Sequence, residues 1–593
     1  MKISGGIVAG GTGPAAAVPQ RHAAKRHDAE RHYARLGCQK ECADVSSPNP
    51  TLIINGRVID GTGNPWYEAD VLIENGRISA ISGGLVQRSE TALRPELDLK
   101  GMLKEGKVDV IDARGKYVTP GFIDIHSHSD LPLFVDGTGQ SYIRQGVTTQ
   151  VVGNCGGWSC PLIGETRVHA EREANRYGYK GTLPWTSVTE YMDVLQSQGV
   201  SLNVAVLVGH GSIRAAVTGF ADRPLTEEEL QACQQHLAQA MEEGAVGMST
   251  GLYYAPGSYA TKEEIVRLCE VVRRYDGIHT SHIRDESDYN IGLMAALDEV
   301  IDIGRQSGVK TEISHLKCLG PRMWGKSGEV LEKVEAARAE GLDVTADQYP
   351  YVASGSSITG ALIPRWAQEG TRADMVARLR DPAIRAKMKA EVEKNLVRRG
   401  GADRLKLTIY LPDPSMNGLS LAEAAAKMKM DPAEAALTLL EESDAPFVSF
   451  VMDEGDVRRI MQAPWVMTAS DGWALAASGP LGEGHPHPRS FGTFVRVLAK
   501  YALRDGVIRL EDAVRKMTSL PAARLGIQDR GILKVGMRAD VVVFDPKTLN
   551  DEATFEDPKR YPTGVEQVIV NGVRVIVDGD HTGRKPGMVL RHS

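Results

Sequence analysis

Eight short runs of β-forming residues, set between stretches of helical periodicity, dominate the middle of this sequence. They fall at 121–125, 148–152, 203–208, 246–249, 277–280, 311–314, 344–347 and 465–468, with helical segments such as 226–243 and 291–306 between them. Apolar strands that alternate with helices are the pattern of βα units around a parallel sheet, and eight such strands close a barrel. A chain of 593 residues has room for a barrel of roughly 250 residues or more plus accessory parts. The expected fold is therefore α/β, a TIM-like (β/α)8 barrel over 119–529. The stretch between the seventh and eighth runs is too long for one helix. It predicts an inserted subdomain, about 358–444, rich in helix formers.

Both ends of the barrel segment carry a different texture. Residues 51–118 and 530–593 hold short β-runs broken by turn residues, which predicts one small β-sandwich domain built from both termini. The dipeptides Asn55-Gly56 and Asn75-Gly76 read as hairpin turns. Residues 1–50 are Gly-rich and then basic, with little apolar periodicity, and read as a flexible extension. Cys38 and Cys42, with His22, His27 and His32, match no standard zinc spacing.

Composition excludes several classes of function. A net charge of -7 gives no electrostatic reason to expect nucleic acid or an anionic membrane as partner. The seven cysteines are few and odd in number, which suits a reducing compartment better than a disulfide framework. No apolar run approaches the roughly 18 residues of a membrane span, and the first fifty residues lack a signal-peptide core. The expectation is a cytoplasmic protein acting on a small molecule.

Catalytic groups of barrels sit at the C-terminal ends of the strands. After the first run come His126 and His128, whose i, i+2 spacing on a strand puts both imidazoles on one side. Cys155 follows the second run in a Gly-flanked turn. His282 follows the fifth, His315 and Lys317 the sixth, and Asp471 the eighth. Imidazoles, a thiolate and a carboxylate converging on one rim are a metal-site donor set.

These stretches resemble the metal-dependent amidohydrolase superfamily, and within it the N-acyl-D-amino-acid deacylases (D-aminoacylases). The resemblance runs over about residues 50 to 590. It rests on Pro120-Gly121-Phe122-Ile123-Asp124-Ile125-His126-Ser127-His128, Gly153-Asn154-Cys155-Gly156, Gly247-Met248-Ser249-Thr250-Gly251-Leu252, His282-Ile283-Arg284-Asp285-Glu286, Ser314-His315-Leu316-Lys317 and Ala469-Ser470-Asp471-Gly472. Many amidohydrolases bridge two metals with a carboxylated lysine after strand four. That strand holds no lysine here, and Cys155 matches the cysteine that replaces it in the D-aminoacylase branch. Cys160, next to Pro161, reads as structural.

The resemblance implies zinc-dependent hydrolysis of the amide bond of N-acyl-D-amino acids, releasing a carboxylate and a D-amino acid. It implies one tightly bound zinc on Cys155, His282 and His315, and a second, weakly bound divalent metal on His126, His128 and Asp471. A metal-activated water is then the nucleophile, with Asp471 as general base and afterwards general acid. The free α-carboxylate of such a substrate calls for donors beside the metal, and Lys317, Arg489, Tyr254 and Tyr253 are the candidates. His210 ends the third run as a supporting residue, while His485 and His487 shape a Pro-rich loop. Gly355, Gly360 and Gly370 would let the insertion bend over the pocket. A dipeptidase acting on a D-residue, or another hydrolase of linear or cyclic amides, stays open as the alternative. The missing strand-four lysine and the presence of Cys155 weigh against the cyclic-amide version.

Overall fold

The computed structural model describes residues 49–85, 99–157 and 160–592. The N-terminal extension, with Cys38, Cys42 and its histidines, lies outside the described residues. Five strands come first: β1 (Thr51–Val58), β2 (Tyr67–Glu74), β3 (Arg77–Ser82), β4 (Asp109–Asp112) and β5 (Tyr117–Pro120). The next seven are β6 (Phe122–Asp124), β7 (Val147–Val152), β8 (Asn203–Gly209), β9 (Gly247–Gly251), β10 (Ile278–His282), β11 (Lys310–Ile313) and β12 (Val344–Gln348). Then come β13 (Ser354–Ser357), β14 (Leu405–Leu407), β15 (Pro446–Ser449) and β16 (Val466–Thr468). The chain finishes with β17 (Val541–Phe544), β18 (Val565–Val570), β19 (Val573–Val577), β20 (Asp580–His581) and β21 (Val589–Leu590).

All eight runs singled out in the sequence are strands of one parallel barrel. Their order is β6-β7-β8-β9-β10-β11-β12-β16. The seam between first and last is drawn together by a Ser127–Gly472 bridge, in which Asp471 N donates to His126 O (2.9 Å) and His128 N donates to Gly472 O (2.8 Å). These strands read as near-continuous apolar runs because helices cover the outside and side chains fill the inside. Every residue of β7, β8 and β9 is buried.

The small sheet has the order β20-β19-β18-β17-β5-β1-β2-β3, with β4 paired to β1. The two termini meet where β17 runs antiparallel to β5, from Val541 opposite Pro120 to Phe544 opposite Tyr117. Ile53, Val58, Val71, Val118, Val541, Val543 and Ile569 form its buried apolar cluster. Each fully buried aliphatic side chain of this kind contributes about 1.5–3 kcal/mol. Asn75-Gly76 makes the expected hairpin turn, with φ of 51° and 74°, inside the Glu74–Arg77 pair that closes β2 on β3. A two-residue turn of this hand needs positive φ at both positions. Asn55-Gly56 does not turn the chain. It is a bulge inside β1, and a Cβ at Gly56 would lie 2.5 Å from Val118 Cγ2, so the glycine makes room for β5.

Between β12 and β16 the chain folds on itself. β15 lies between β13 and β14 in an antiparallel sheet. Four helices (Arg372–Arg380, Pro382–Arg398, Leu421–Met428 and Pro432–Glu442) bury their own apolar core of Ile358, Leu379, Val392, Leu405, Leu437 and Phe447. Gly370 N donates to Phe220 O (3.0 Å), which ties this insertion to the chain beyond β8. No helix among the described residues is long and apolar enough to cross a membrane.

Candidate metal centre

The six expected donor residues meet at the C-terminal rim of the barrel. Ligand atoms of His126, His128, Cys155 and Asp471 lie within 4.8 Å of one another, and so do those of Cys155, His282 and His315. Cys155 belongs to both sets. Its Sγ lies 3.4 Å from His126 Nε2, 3.4 Å from His315 Nε2 and 3.6 Å from His282 Nδ1. Asp471 Oδ1 lies 3.0 Å from His128 Nε2 and 3.5 Å from His126 Nε2.

Backbone conformation brings these groups together. Cys155, His315 and Asp471 have φ of 54°, 37° and 51°, in the left-handed region that residues with a Cβ seldom enter. Such outliers cost about 1–3 kcal/mol each and persist only where the surroundings hold them. Around Cys155, Asn154 Nδ2 donates to Val151 O (3.1 Å) and Gly156 N donates to Ser249 Oγ (3.0 Å). A Cβ at Gly251 would lie 2.2 Å from Cys155 O, so glycine there lets the cysteine loop sit against β9. Each left-handed residue swings its side chain off the strand line and into the barrel mouth.

Asp347, at the end of β12, buttresses the cluster. Its Oδ2 lies 3.1 Å from His126 Nδ1, and its Oδ1 accepts the His315 backbone N–H (2.9 Å). A carboxylate that takes the Nδ1 proton leaves the Nε2 lone pair of His126 aimed at the centre. On the other side Glu286 Oε1 lies 3.1 Å from His315 Nδ1 and 2.5 Å from Lys317 Nζ, and Lys317 Nζ lies 2.7 Å from the same His315 Nδ1. Asp347→Asn removes the charge at constant size and leaves one acceptor oxygen where the carboxylate serves both the His126 ring and the His315 N–H. We expect zinc affinity to fall about 10–100-fold, the usual cost of losing such a partner, as read by competition with a chromophoric chelator. Unchanged affinity would remove Asp347 from this role.

The electrostatics favour anionic ligands. Burial raises the Cys155 thiol, but the positive charge of His126 and His315 outweighs it and holds the group well below its ordinary pKa. Burial likewise opposes ionisation of Asp471, and Arg489 followed by His315 overcomes it, so this carboxyl too lies well below its usual range. Arg489 Nη1 donates to Asp471 Oδ2 (2.6 Å). A thiolate shared between two groups of imidazoles, with an ionised carboxylate on one side and His282 Nδ1 3.6 Å from the sulfur on the other, is a donor set that fits divalent zinc.

The substrate-binding candidates surround the same cavity, which encloses about 940 Å³ and is lined among others by Lys317, Arg489, Tyr253 and Tyr254. Lys317 is paired with Glu286, and Arg489 is paired with Asp471 while its Nε has no partner among the described residues. Tyr253 and Tyr254 pack on the His282 ring, with centroids 5.4 and 4.7 Å away. His210 does not line the cavity. Its Nε2 lies 2.9 Å from Glu264 Oε1 behind the barrel wall. His487 Nδ1 accepts the Arg489 backbone N–H (3.0 Å), so its loop positions that arginine. Gly355 and Gly360 face Arg489 and Tyr254 closely, where a Cβ would lie 2.7 and 3.0 Å from their side chains. The lining residues that were not foreseen include Glu286, Tyr349 and Arg399. Glu286 stands four residues after His282, a spacing that could have pointed to it. Nothing local in the sequence marks Arg399, which comes from the insertion with Nη1 buried and unpartnered.

The family described as "Amidohydrolase family" matches residues 109–576. N-acyl-D-glutamate deacylase of Alcaligenes xylosoxydans xylosoxydans is 39% identical over 545 residues, covering 91% of this chain and 96% of that protein. D-aminoacylase of the same organism is 36% identical over 550 residues, covering 92% and 98%. Among solved structures, N-acyl-D-glutamate deacylase of Bordetella bronchiseptica, complexed with zinc and a phosphonate mimic of the tetrahedral intermediate, superposes with a TM-score of 0.74 at 36% identity. That match covers 91% of this chain and 99% of the other.

Proposed function

The chain belongs to the amidohydrolase family, and from that premise we propose that it hydrolyses the amide bond of N-acyl-D-amino acids, releasing a carboxylate and a D-amino acid. The observation that carries this reading is the position of Cys155 between two sets of imidazoles beside Asp471. In our reading Cys155, His282 and His315 hold a tight zinc, and His126, His128 and Asp471 a weaker second metal. The chemistry zinc supplies when bound is Lewis acidity, which lowers the pKa of water towards about 7 and polarises the amide carbonyl.

Asp471 receives the proton of the attacking water and passes it to the departing amine. Arg489 keeps this carboxylate ionised at the start of the cycle, and the same charge makes the protonated form a ready donor afterwards. Lys317, Arg489, Tyr253 and Tyr254 are the groups we assign to substrate binding. The Arg489 Nε and Tyr349 hydroxyl are buried without partners among the described residues, and donors of this kind suit the α-carboxylate. Cys155, Cys160, Cys233, Cys269 and Cys318 are all free thiols, which supports a reducing, cytoplasmic setting for an enzyme that depends on one of them.

The test is release of free amino acid from N-acetyl D- and L-amino acids, D-residue dipeptides and hydantoins by the zinc-loaded protein. We expect turnover of N-acetyl-D-amino acids, with the L-series at least about 10-fold slower. Turnover confined to hydantoins or to dipeptides would overturn the reading.

A further inference from the structure

The cavity above the donor cluster, at about 940 Å³, stands near the upper end of the roughly 300–1,000 Å³ usual for small-molecule sites. It has two poles at which basic side chains gather. One lies at the ends of β11, β12 and β16, where Lys317, Tyr349 and Arg489 line it. The other lies beyond the Cys155 loop, between the helix Glu165–Arg176 that follows β7 and the start of the insertion helix Arg372–Arg380. In an eight-stranded barrel of the observed order, β7 and β8 stand opposite β11 and β12. The two poles therefore lie on opposite sides of the donor cluster.

Arg172, Arg176 and Arg372 all line the second pole. Arg176 is held, with Nη1 3.0 Å from Glu173 Oε2 and Nη2 donating to Asp444 O (2.8 Å). Arg372 Nη2 donates to Leu440 O (2.8 Å), but its Nη1 is buried with no partner among the described residues. Arg172, one turn before Arg176, makes no hydrogen bond or ion pair among the described residues. Of the carboxylates that line this end, Glu173 is paired with Arg176, Asp444 accepts the Thr359 N–H (3.1 Å) and Glu442 accepts from the Tyr410 hydroxyl (2.7 Å), while Glu165 on the same helix is exposed. Burial, with the charges of Arg172 and Arg176, pushes Arg372 below its ordinary pKa despite the pull of Asp444. A buried guanidinium edge without an acceptor is costly, and a carboxylate that reaches it by two parallel hydrogen bonds removes that cost.

The deacylase reading, on which this inference rests, orients the substrate. With the α-carboxylate at the Lys317 and Arg489 pole and the amide carbon over the donor cluster, the acyl chain extends towards Arg172 and Arg372. We infer that this second pole is an acyl-end anion subsite, and that the preferred substrates are N-acyl-D-amino acids whose acyl group ends in a second carboxylate. Arg172 and Arg372 are then determinants of acyl specificity.

The experiment compares kcat/KM for N-succinyl, N-glutaryl and N-adipoyl derivatives of one D-amino acid with the neutral N-butanoyl, N-pentanoyl and N-hexanoyl derivatives. We expect a preference of about 10-fold or more for the carboxylated acyl group at one or more chain lengths. The R172Q/R372Q double variant should bring that ratio to near one, and R372K, which keeps the charge but loses the fork, should restore only part of it. Neutral acyl groups preferred at every length, or a ratio that survives the double substitution, would overturn the subsite. So would a ratio of N-acetyl-D-glutamate to N-acetyl-D-leucine turnover that depends on these two arginines, since the cluster would then read the side chain. The wild-type comparison decides the point even if the double variant misfolds. Failure to hydrolyse any N-acyl-D-amino acid removes the deacylase reading itself, whereas hydrolysis without acyl preference removes this subsite alone.

Discussion

Asp471→Asn is expected to lower kcat/KM by about 10³-fold or more, near 4 kcal/mol of transition-state stabilisation. The substitution keeps the size of the side chain and leaves Cys155, His282 and His315 untouched, so a zinc on those three should remain. What disappears is the only carboxylate among the six donors, and with it the group proposed to accept and return a proton. Asparagine also leaves Arg489 as a buried charge without its partner at 2.6 Å. The measurement is kcat/KM together with zinc per chain. Full zinc with activity lost is the expected outcome. Activity within about tenfold of the parent would mean that another group moves the proton.

The second large effect belongs to Cys155, and its backbone supplies the control. Cys155→Gly removes the one donor common to both sets, and zinc affinity should fall by more than the roughly 100-fold typical of losing a supporting group. Glycine nevertheless suits φ of 54°, where an ordinary residue costs about 1–2 kcal/mol. The metal-free variant should therefore melt no more than a few degrees from the metal-free parent, whereas the rise in Tm on adding zinc should vanish. A variant that still gains Tm with zinc as the parent does would show that the thiolate is dispensable.

Much of this was legible because the barrel writes itself in two periodicities. Strands covered on both faces become apolar runs, and the segments between them carry helical spacing, so all eight strands could be located. Their ends then gave His126, His128, Cys155, His282, His315 and Asp471. What could not be read is how those side chains turn inward. The left-handed backbone at Cys155, His315 and Asp471 is imposed by contacts from other strands, such as Gly251 beneath the cysteine loop. Asn55-Gly56 looks identical in sequence to a hairpin turn and becomes a bulge because Val118, far along the chain, fills the space beside it. Asp347 was visible as a carboxylate closing an apolar strand, yet its service to His126 depends on the order of the barrel. Arg399 and Arg372 reach the cavity only through the way the insertion packs.

The splice between β5 and β17 sets a schedule for making this protein. Lys116 meets Glu566, 450 residues further along, and Arg77 reaches Gly536 across 459. A chain emerging from the ribosome has synthesised all six donor residues once it passes Asp471, while β5 still presents an unpaired edge. That edge is closed only by strands translated after Asp471, and β21 reaches β8 later still. Unpaired strand edges recruit other chains, and long-range pairings form slowly. Translation that stops short of β17 thus yields a polypeptide with every ligand for its metal and an open edge, a product destined for aggregation rather than catalysis.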